Sequence, residues 1–208
     1  YLKGKVNKWA MMTSASVLSD KSKKLSYLTV LLPAIKYAAP VVTLSLKDCK
    51  AIMKKASPIF LNANGLSRKT NFNIAHGPLC YAGLNCFDLH AFSTASATKW
   101  IIQNIGMNNT AEKLFNINVC QHQLEMGSER NIFELEVRQW KYTYSETYIT
   151  KLWKNLDSYS AKLMLHIKPE VVLARERDIF IMELATEIGM SKKQVVNLNE
   201  IRKHLNII

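Results

Sequence analysis

The sequence predicts a mainly α-helical protein, and three observations support that fold class. Apolar residues recur at helical spacing over most of the chain, capping residues precede many of these segments, and glycine or proline follows them. Only two short segments alternate in a strand-like way, Asn131 to Trp140 and Lys162 to Ile167, so at most a small β-hairpin is expected. We therefore predict a basic three-helix bundle followed by a larger helical domain.

Three helices are predicted within the first 69 residues. The first covers Leu2 to Leu18, and the second covers Ser19 to Ile35 and is expected to kink at Pro33. Ser45 has the features of a helix N-cap, so a third helix begins there and is interrupted or ended by Pro58. These three helices are expected to pack against one another through their apolar faces.

The longest apolar run, Ser26 to Val42, permits two interpretations. It is either the buried spine of the bundle, covered by Leu2–Leu18 and Leu46–Lys55, or a membrane span that extends from Leu25 to Leu46. Lys36 lies near its middle, and a central lysine costs about 2.5 to 3.5 kcal/mol on insertion into a bilayer. We therefore expect a buried spine and no membrane partner.

Positive charge is concentrated in the first third of the chain. The net charge is +12, and residues 1–69 contain 13 Lys or Arg and two Asp, whereas residues 70–208 contain 15 Lys or Arg and 14 Asp or Glu. Such an imbalance is typical of proteins that bind a phosphate backbone, although a solvated basic face without a partner is the alternative. Trp9 is expected to anchor the core, with stacking on a base as the alternative.

The candidate phosphate-binding residues share a positive charge, and they lie before, within and after the apolar run. They are Lys3, Lys5, Lys8, Lys36, Lys47, Lys50, Lys54, Lys55, Arg68 and Lys69.

Residues 70–208 are predicted to form a second, helical domain. A connection marked by glycine and proline, His76 to Asn85, marks its beginning. The predicted helices are Asp88–Ile105, Asn109–Met126, Ser145–Leu156, Glu170–Ile188 and Ser191–Leu205.

Residues 179–205 have the pattern of a helix-turn-helix. Gly189 forms the turn, Ser191 caps the second helix, and Lys192, Lys193 and Gln194 would point at DNA. The same pattern also joins ordinary antiparallel helices. A stand-alone helix-turn-helix DNA-binding protein is therefore the alternative function.

Other chemistry has less support. Cys80, Cys86 and His90 are close in sequence, and Cys120 with His122 could complete a zinc site, but none has the short paired spacing of a zinc motif. No phosphate-cradling glycine loop and no paired aspartates of a two-metal centre occur. Catalysis by this chain alone is therefore not expected.

The cysteine content and the N-terminal residues indicate an intracellular location, in the nucleus or the cytoplasm. Four scattered cysteines fit a reducing compartment, and the first residues lack the apolar core of a signal peptide. The chain begins at Tyr1, which is consistent with a processed chain or a fragment of a longer one.

Three stretches together resemble one family. They are LLPAIKYAAPVVTLSLKDCKAIMKKASPIFL, HGPLCYAGLN and RERDIFIMELATEIGMSKKQVVNLNEIRKHLNI. They are similar to the region after the polymerase palm in reverse-transcriptase-like open reading frames of non-LTR retroelements, where a thumb helix with a P-x-hydrophobic-x-Y element precedes a glycine-rich connection. That connection corresponds here to Gly77, Pro78, Gly83 and Leu84. The last block corresponds to a downstream segment of the family at Arg175 to Asp178, Ile181, Met182, Leu198, Asn199, Arg202 and Leu205.

The resemblance implies the thumb and connection fragment of an RNA-directed DNA polymerase. Residues 1–69 would be the thumb-like domain and residues 70–208 the connection domain, with an RNA or DNA template–primer and an N-terminal palm as partners. The Tyr-x-Asp-Asp motif of the palm is absent from this sequence. Magnesium would therefore belong to the palm, and no cofactor is expected in this chain.

Two further classes remain open from the sequence. A membrane-associated basic protein would use the apolar run and its lysines together, and a decayed retroelement would have no function at all.

Overall fold

A computed structural model describes residues 1–140, 143–165 and 179–205. The prediction of a mainly α-helical fold is confirmed, and no β-strand occurs within those ranges. The chain divides into two compact units, Tyr1–Ala97 and Thr98–Ile208, and the division falls within one helix, Leu89–Asn104.

Six helices and the first part of a seventh build the first unit. They are α1 (Leu2–Ala15), α2 (Asp20–Ser26), α3 (Leu32–Ala38), α4 (Leu46–Met53), α5 (Ala56–Ala63), α6 (Phe72–His76) and α7 (Leu89–Asn104). A π-helical turn, Tyr27–Leu31, joins α2 to α3, and 3₁₀ turns occupy Ala39–Val41 and Leu79–Tyr81.

The apolar run forms a spine of the first unit, but only one of its faces is buried. Tyr27, Leu31 and Ile35 pack in one core with residues of α1, α4 and α5, as the sequence predicts. The opposite face, which includes Val30 and Tyr37, is exposed. Within the described residues, no helix is both long enough and apolar enough to span a bilayer.

Trp9 is a core residue, as predicted. Its side chain is only 8% exposed, its indole N–H donates a hydrogen bond to Ser26 Oγ at 2.9 Å, and its ring meets the Tyr27 ring edge-on. Tyr27 in turn stacks on Phe60 with ring centroids 4.1 Å apart. Most of the Trp9 side chain is therefore covered by the protein's own core.

The helix accommodates Pro33 with the π-helical turn. The N–H of Leu32 donates to the carbonyl of Tyr27, one residue further back than in an α-helix. Pro33 follows in the first turn of α3, where the N–H that it lacks is not required by the helix.

Pro58 does not end the third predicted helix, because that helix ends earlier. α4 stops at Met53, and Pro58 lies in the first turn of α5, a position that tolerates proline. Lys54 and Lys55 therefore lie at the junction of two helices rather than inside one.

Packing continues beyond the predicted domain boundary at residue 69. Leu89, at the start of α7, belongs to the same buried cluster as the residues of α1 and α4, and Phe87 and Phe92 pack against that cluster. The charge-based boundary therefore lies inside the first compact unit.

The remaining helices lie in the second unit. They are α8 (Thr110–Met126), α9 (Val137–Trp140), α10 (Tyr148–Ser158), α11 (Ile181–Glu187) and α12 (Lys192–His204), and Ile132–Glu134 forms a 3₁₀ turn. Of the predicted helix Glu170–Ile188, residues 170–178 lie outside the described residues, as do Arg175 to Asp178 of the third resembling stretch.

The strand predicted at Asn131 to Trp140 is wrong. That segment forms the 3₁₀ turn and α9 instead, because Asn131 Oδ1 accepts the N–H of Phe133 at 3.1 Å and starts a turn. The indole N–H of Trp153 donates to the carbonyl of Leu135 at 3.0 Å. In a β-hairpin, a backbone N–H of the partner strand would bind such a carbonyl instead.

The partner strand predicted at Lys162 to Ile167 is also not found within the described residues. Residues 162–165 have no regular secondary structure, and residues 166 and 167 lie outside the described part of the chain.

A buried arginine joins α12 to the end of α8. Nη2 of Arg202 donates to the carbonyls of Leu124 and Glu125, at 2.8 Å each, where the last turn of α8 leaves carbonyls without helical partners. Gly127 follows with φ +67°, and a Cβ there would lie 2.9 Å from the guanidinium of Arg202 and from Met182. Only glycine fits this position.

Candidate nucleic-acid interface

The ten predicted phosphate-binding residues are all exposed. None of them forms an ion pair with a carboxylate within the described residues. The first unit contains 13 Lys or Arg residues against three Asp, so most of its positive charge is left without a compensating neighbour.

The three carboxylates of the first unit are engaged at the starts of helices. Asp20 begins α2 and pairs with Lys23 at 3.3 Å, and Asp48 accepts the hydroxyl of Ser45 at 2.7 Å in the first turn of α4. Asp88 accepts the N–H of His90 at 2.8 Å before α7. Carboxylates stabilise helix N-termini because they accept the unpaired N–H groups of the first turn and interact favourably with the helix dipole. The three carboxylates of this unit serve that purpose, so they do not neutralise the lysines of α1 and α4.

α4 presents the clearest cationic surface. Lys47 and Lys50 lie within α4, and Lys54, the residue that follows its last turn, still has α-helical backbone angles. Their spacing of three and four residues, at a rotation of about 100° per residue, therefore places all three on one side of the helix. Cys49, Ile52 and Met53 are buried on the opposite side. Burial of the apolar side in the core therefore orients the three ammonium groups toward solvent. We call these three lysines the α4 stripe.

The lysines of α1 do not share one face, although the sequence groups them. Lys5 and Lys8 border a shallow, mainly apolar groove of about 590 Å³, whereas Lys3 is not among the residues that line it. Nζ of Lys5 lies 4.6 Å from the ring centroid of Tyr1. Helical rotation separates Lys3 from the other two.

Lys36 has aromatic neighbours within its own unit. Its Nζ lies 5.6 Å from the ring centroid of Phe87 and 5.8 Å from that of Phe92, distances at which a cation is attracted by the ring faces. Lys36 therefore helps to hold the segment before α7 against α3, and its head group remains exposed.

Arg68 and Lys69 lie in a turn between α5 and α6. The hydroxyl of Ser67 accepts the N–H of Lys69 at 3.2 Å, and the N–H of Thr70 donates to the carbonyl of Ser67 at 2.9 Å. Both cationic side chains are exposed at this turn.

The helix-turn-helix pattern has the local geometry that the sequence predicts. α11 ends before Gly189, which has φ +77°, and Ser191 caps α12. Oε1 of Gln194 accepts the N–H of Ser191 at 3.0 Å and its hydroxyl at 2.6 Å. Gln194 is thus engaged in the capping box, so base recognition would require it to break that box.

Thr147, His122 and Glu125 in the second unit are arranged like the nucleophile, base and acid of a catalytic triad, but their contacts stabilise the fold. Nε2 of His122 lies 2.7 Å from Thr147 Oγ1, and its Nδ1 lies 3.2 Å from Glu125 Oε2. Thr147 forms the capping box of α10 with Thr150, and the side chain of His122 is completely buried. A substrate has no access to this histidine.

The candidate zinc residues, which the sequence supports only weakly, do not come together within the described part of the chain. Within the described residues, no group of three or more His, Cys, Asp or Glu side chains is placed to hold a metal ion. Burial raises the pKa of Cys49 to about 12, and burial also raises the pKa of Cys86, so both thiols are held in their neutral form.

Sequence reasoning missed a group of exposed aromatic and apolar side chains between Phe72 and Leu84. Their clustering in a segment without acidic residues is the signal that would have found them.

Comparisons of the chain with protein-family models, with curated proteins and with solved structures found no match.

Proposed function

We propose that the first unit binds the phosphate backbone of nucleic acid without sequence preference. The observation that carries this proposal is the α4 stripe, three aligned lysines with a buried apolar side behind them and no carboxylate partner among the described residues. Lysine is a flexible point charge that contacts phosphate oxygens, and such contacts position a nucleic acid without reading its bases.

Within this proposal, the nucleic acid is a template–primer duplex. The support is the resemblance of the chain to the thumb and connection region of RNA-directed DNA polymerases, where these cations would hold the duplex. Lys36, Arg68 and Lys69, together with the lysines of α1, would extend the binding surface beyond the α4 stripe. Chemistry would be supplied by a palm with the Tyr-x-Asp-Asp motif.

The test compares two triple variants that remove the same charge. Lys47→Ala/Lys50→Ala/Lys54→Ala removes the α4 stripe, and Lys192→Ala/Lys193→Ala/Lys203→Ala removes three lysines of α12. Affinity for a mixed-sequence duplex is measured by fluorescence anisotropy between about 50 and 200 mM salt. The α4 variant should reduce the slope of log affinity against log salt by about 0.9 for each phosphate that it no longer neutralises, and the α12 variant should leave the slope unchanged.

Two outcomes would contradict the proposal. A wild-type protein that does not bind duplex at low salt, or that binds with no salt dependence, has no phosphate-binding surface. Equal reductions in the two variants would show that net charge alone attracts the duplex and that the α4 stripe has no special part.

A second candidate function is sequence-specific DNA binding by α11 and α12. The observation that favours it is the glycine turn at Gly189 followed by the capped basic start of α12. Changing Lys192, Lys193 and Gln194 to alanine should abolish a preference for one duplex sequence if this function is correct. Unchanged affinity in that variant favours the phosphate-binding unit.

A further inference from the structure

The segment that contains α6 and the following loop, residues 72–84, exposes an unusual amount of aromatic and apolar surface. Tyr81 is 84% exposed, Leu79 is 71% exposed and Phe72 is 54% exposed. Ile74 and Leu84 are exposed as well. Five exposed side chains of this kind within 13 residues mark an interaction surface rather than a scattering of single apolar residues.

The loop that carries Tyr81 is closed by its own backbone. A Cβ at Gly83 would overlap the backbone of Gly77, so glycine at position 83 allows the two ends of the loop to approach closely. The N–H of Leu84 donates to the carbonyl of Ile74 at 2.9 Å, and the N–H of Cys86 donates to that of Ala75 at 2.8 Å. These bonds tie the end of the loop to α6, so binding would cost little further conformational freedom of the backbone.

The apex of the loop holds Tyr81 out to solvent. The N–H of Tyr81 donates to the carbonyl of Pro78 at 3.0 Å, and Ala82 has a positive φ of 57° that turns the chain back. Phe72, by contrast, has its ring centroid 4.2 Å from that of His76. Tyr81 is therefore the ring with the more accessible faces.

The charge of the residues that neighbour this segment in the sequence indicates which kind of partner binds it. Arg68 and Lys69 directly precede α6, and no acidic residue occurs between Asp48 and Asp88. The stretch between Asp48 and Asp88 thus contains five Lys or Arg and no acidic residue, although none of the five lies within residues 72–84. An accessible aromatic ring in such a stretch is the combination that binds single-stranded nucleic acid, because every base has a π-face and every nucleotide has a phosphate. An apolar protein partner would gain nothing from the cations.

We propose that Tyr81 stacks on a nucleobase of a single-stranded segment next to the duplex, while Arg68 and Lys69 contact its phosphates. This inference rests on the proposed function, since the duplex would be held by the same unit. It adds an interaction with an unpaired base that phosphate binding alone does not provide.

The experiment uses the full chain and two probes, a blunt duplex and the same duplex with an oligothymidine overhang. Wild type should bind the overhang probe more tightly, by about 5- to 150-fold for one stacked base. Tyr81→Ala and Tyr81→Leu should abolish this preference, because leucine keeps the apolar area and removes the ring. Tyr81→Phe should retain it, and all three variants should bind the blunt duplex as wild type does.

Tyr37→Ala is the matched control, because Tyr37 is 89% exposed in the same unit and is not part of the loop. It should bind both probes like wild type. Full preference in Tyr81→Leu would overturn the stacking interaction and indicate a general apolar surface. No preference for the overhang in wild type would overturn the inference while blunt-duplex binding still supported the proposed function. Failure to bind the blunt duplex would overturn the proposed function, and an overhang preference that depends on Tyr81 would then still support stacking.

Discussion

His122 shows how one buried residue ties a helix to its neighbour. Its two ring nitrogens meet Thr147 at the start of α10 and Glu125 near the end of α8. Glu125 also accepts the hydroxyl and the N–H of Ser145. Burial lowers the pKa of His122 below its ordinary value of 6.5, against the opposing effect of Glu125.

Acid should therefore destabilise the second unit. Because the pKa of His122 is lower in the folded protein than in the unfolded chain, the unfolded chain binds the proton more readily once the pH falls below about 6.5. The contribution of His122 is complete above that pH and should fall by at most about 1.4 kcal/mol per pH unit below it. Denaturant unfolding of wild type between about pH 8 and pH 5 measures this slope.

His122→Gln should remove the slope that begins near pH 6.5, whatever it does to stability at neutral pH. His204→Gln, at an exposed position of α12, is the control and should keep it. An unchanged slope in His122→Gln would show that other groups titrate. Glu125 acts in a separate window, because its pKa is lowered from 4.5 despite burial and its contribution disappears only at lower pH.

The glycine-rich connection, His76 to Asn85, shows why its two glycines, Gly77 and Gly83, are required at their positions. A Cβ at Gly83 would overlap the backbone of Gly77 at the other end of the loop, and a Cβ at Gly77 would overlap the carbonyl of Asn73 in α6, so both positions require glycine. The sequence identified this segment as a connection. Its closed shape could not be predicted, because it depends on hydrogen bonds between residues eight or more positions apart, such as that from Leu84 to Ile74.

Gly83→Ala should open this connection. Its Cβ would collide with backbone atoms of Gly77, which have no flexible side chain to move away, so a destabilisation of about 1 to 3 kcal/mol is expected. Hydrogen exchange at the amides of Leu84, Asn85 and Cys86 should accelerate, since these amides donate the bonds that close the loop.

Gly4→Ala is the control, and its expected change in stability has the opposite sign to that of Gly83→Ala. Gly4 lies within α1 with nothing within 4 Å of its Cβ position, so alanine should stabilise the protein by about 0.5 to 1 kcal/mol. Protected amides at residues 84–86 in Gly83→Ala would contradict the proposed closure.

Other elements show which local signals succeed. Ser45 caps α4, as the sequence predicts, and Asn109, where the sequence predicts that a helix begins, caps α8, because capping depends on residues three positions apart. The strand predicted at Asn131 to Trp140 failed because Ile132, Phe133 and Leu135 are all buried around a turn. Alternation in sequence did not correspond to alternation between two faces.

At the scale of the whole chain, the two units differ in charge far more than in size. The excess of Lys and Arg belongs almost entirely to the first unit, whose three carboxylates serve helix starts. A polyanion should therefore bind the first unit selectively in the intact protein.

Lysine acetylation of the full chain, with and without duplex at low salt, should show this selectivity. Lys47, Lys50 and Lys54 should be protected by duplex, whereas Lys113 and Lys193 in the second unit should react equally in both samples. Mass spectrometry of the peptides quantifies the labels. Uniform protection of both units, or protection confined to α12, would contradict selective binding.

The sequence by itself determined the helical class, the main helix starts, the burial of Trp9 and the location of the positive charge. These depend on local spacing and on composition, which a linear pattern contains. Only the tertiary structure decided that one face of the apolar run stays exposed, that Arg202 binds the last carbonyls of α8 and that the connection after α6 closes into a loop tied to that helix. Each of these depends on which distant residues pack together, and such packing leaves no periodic signal in the chain.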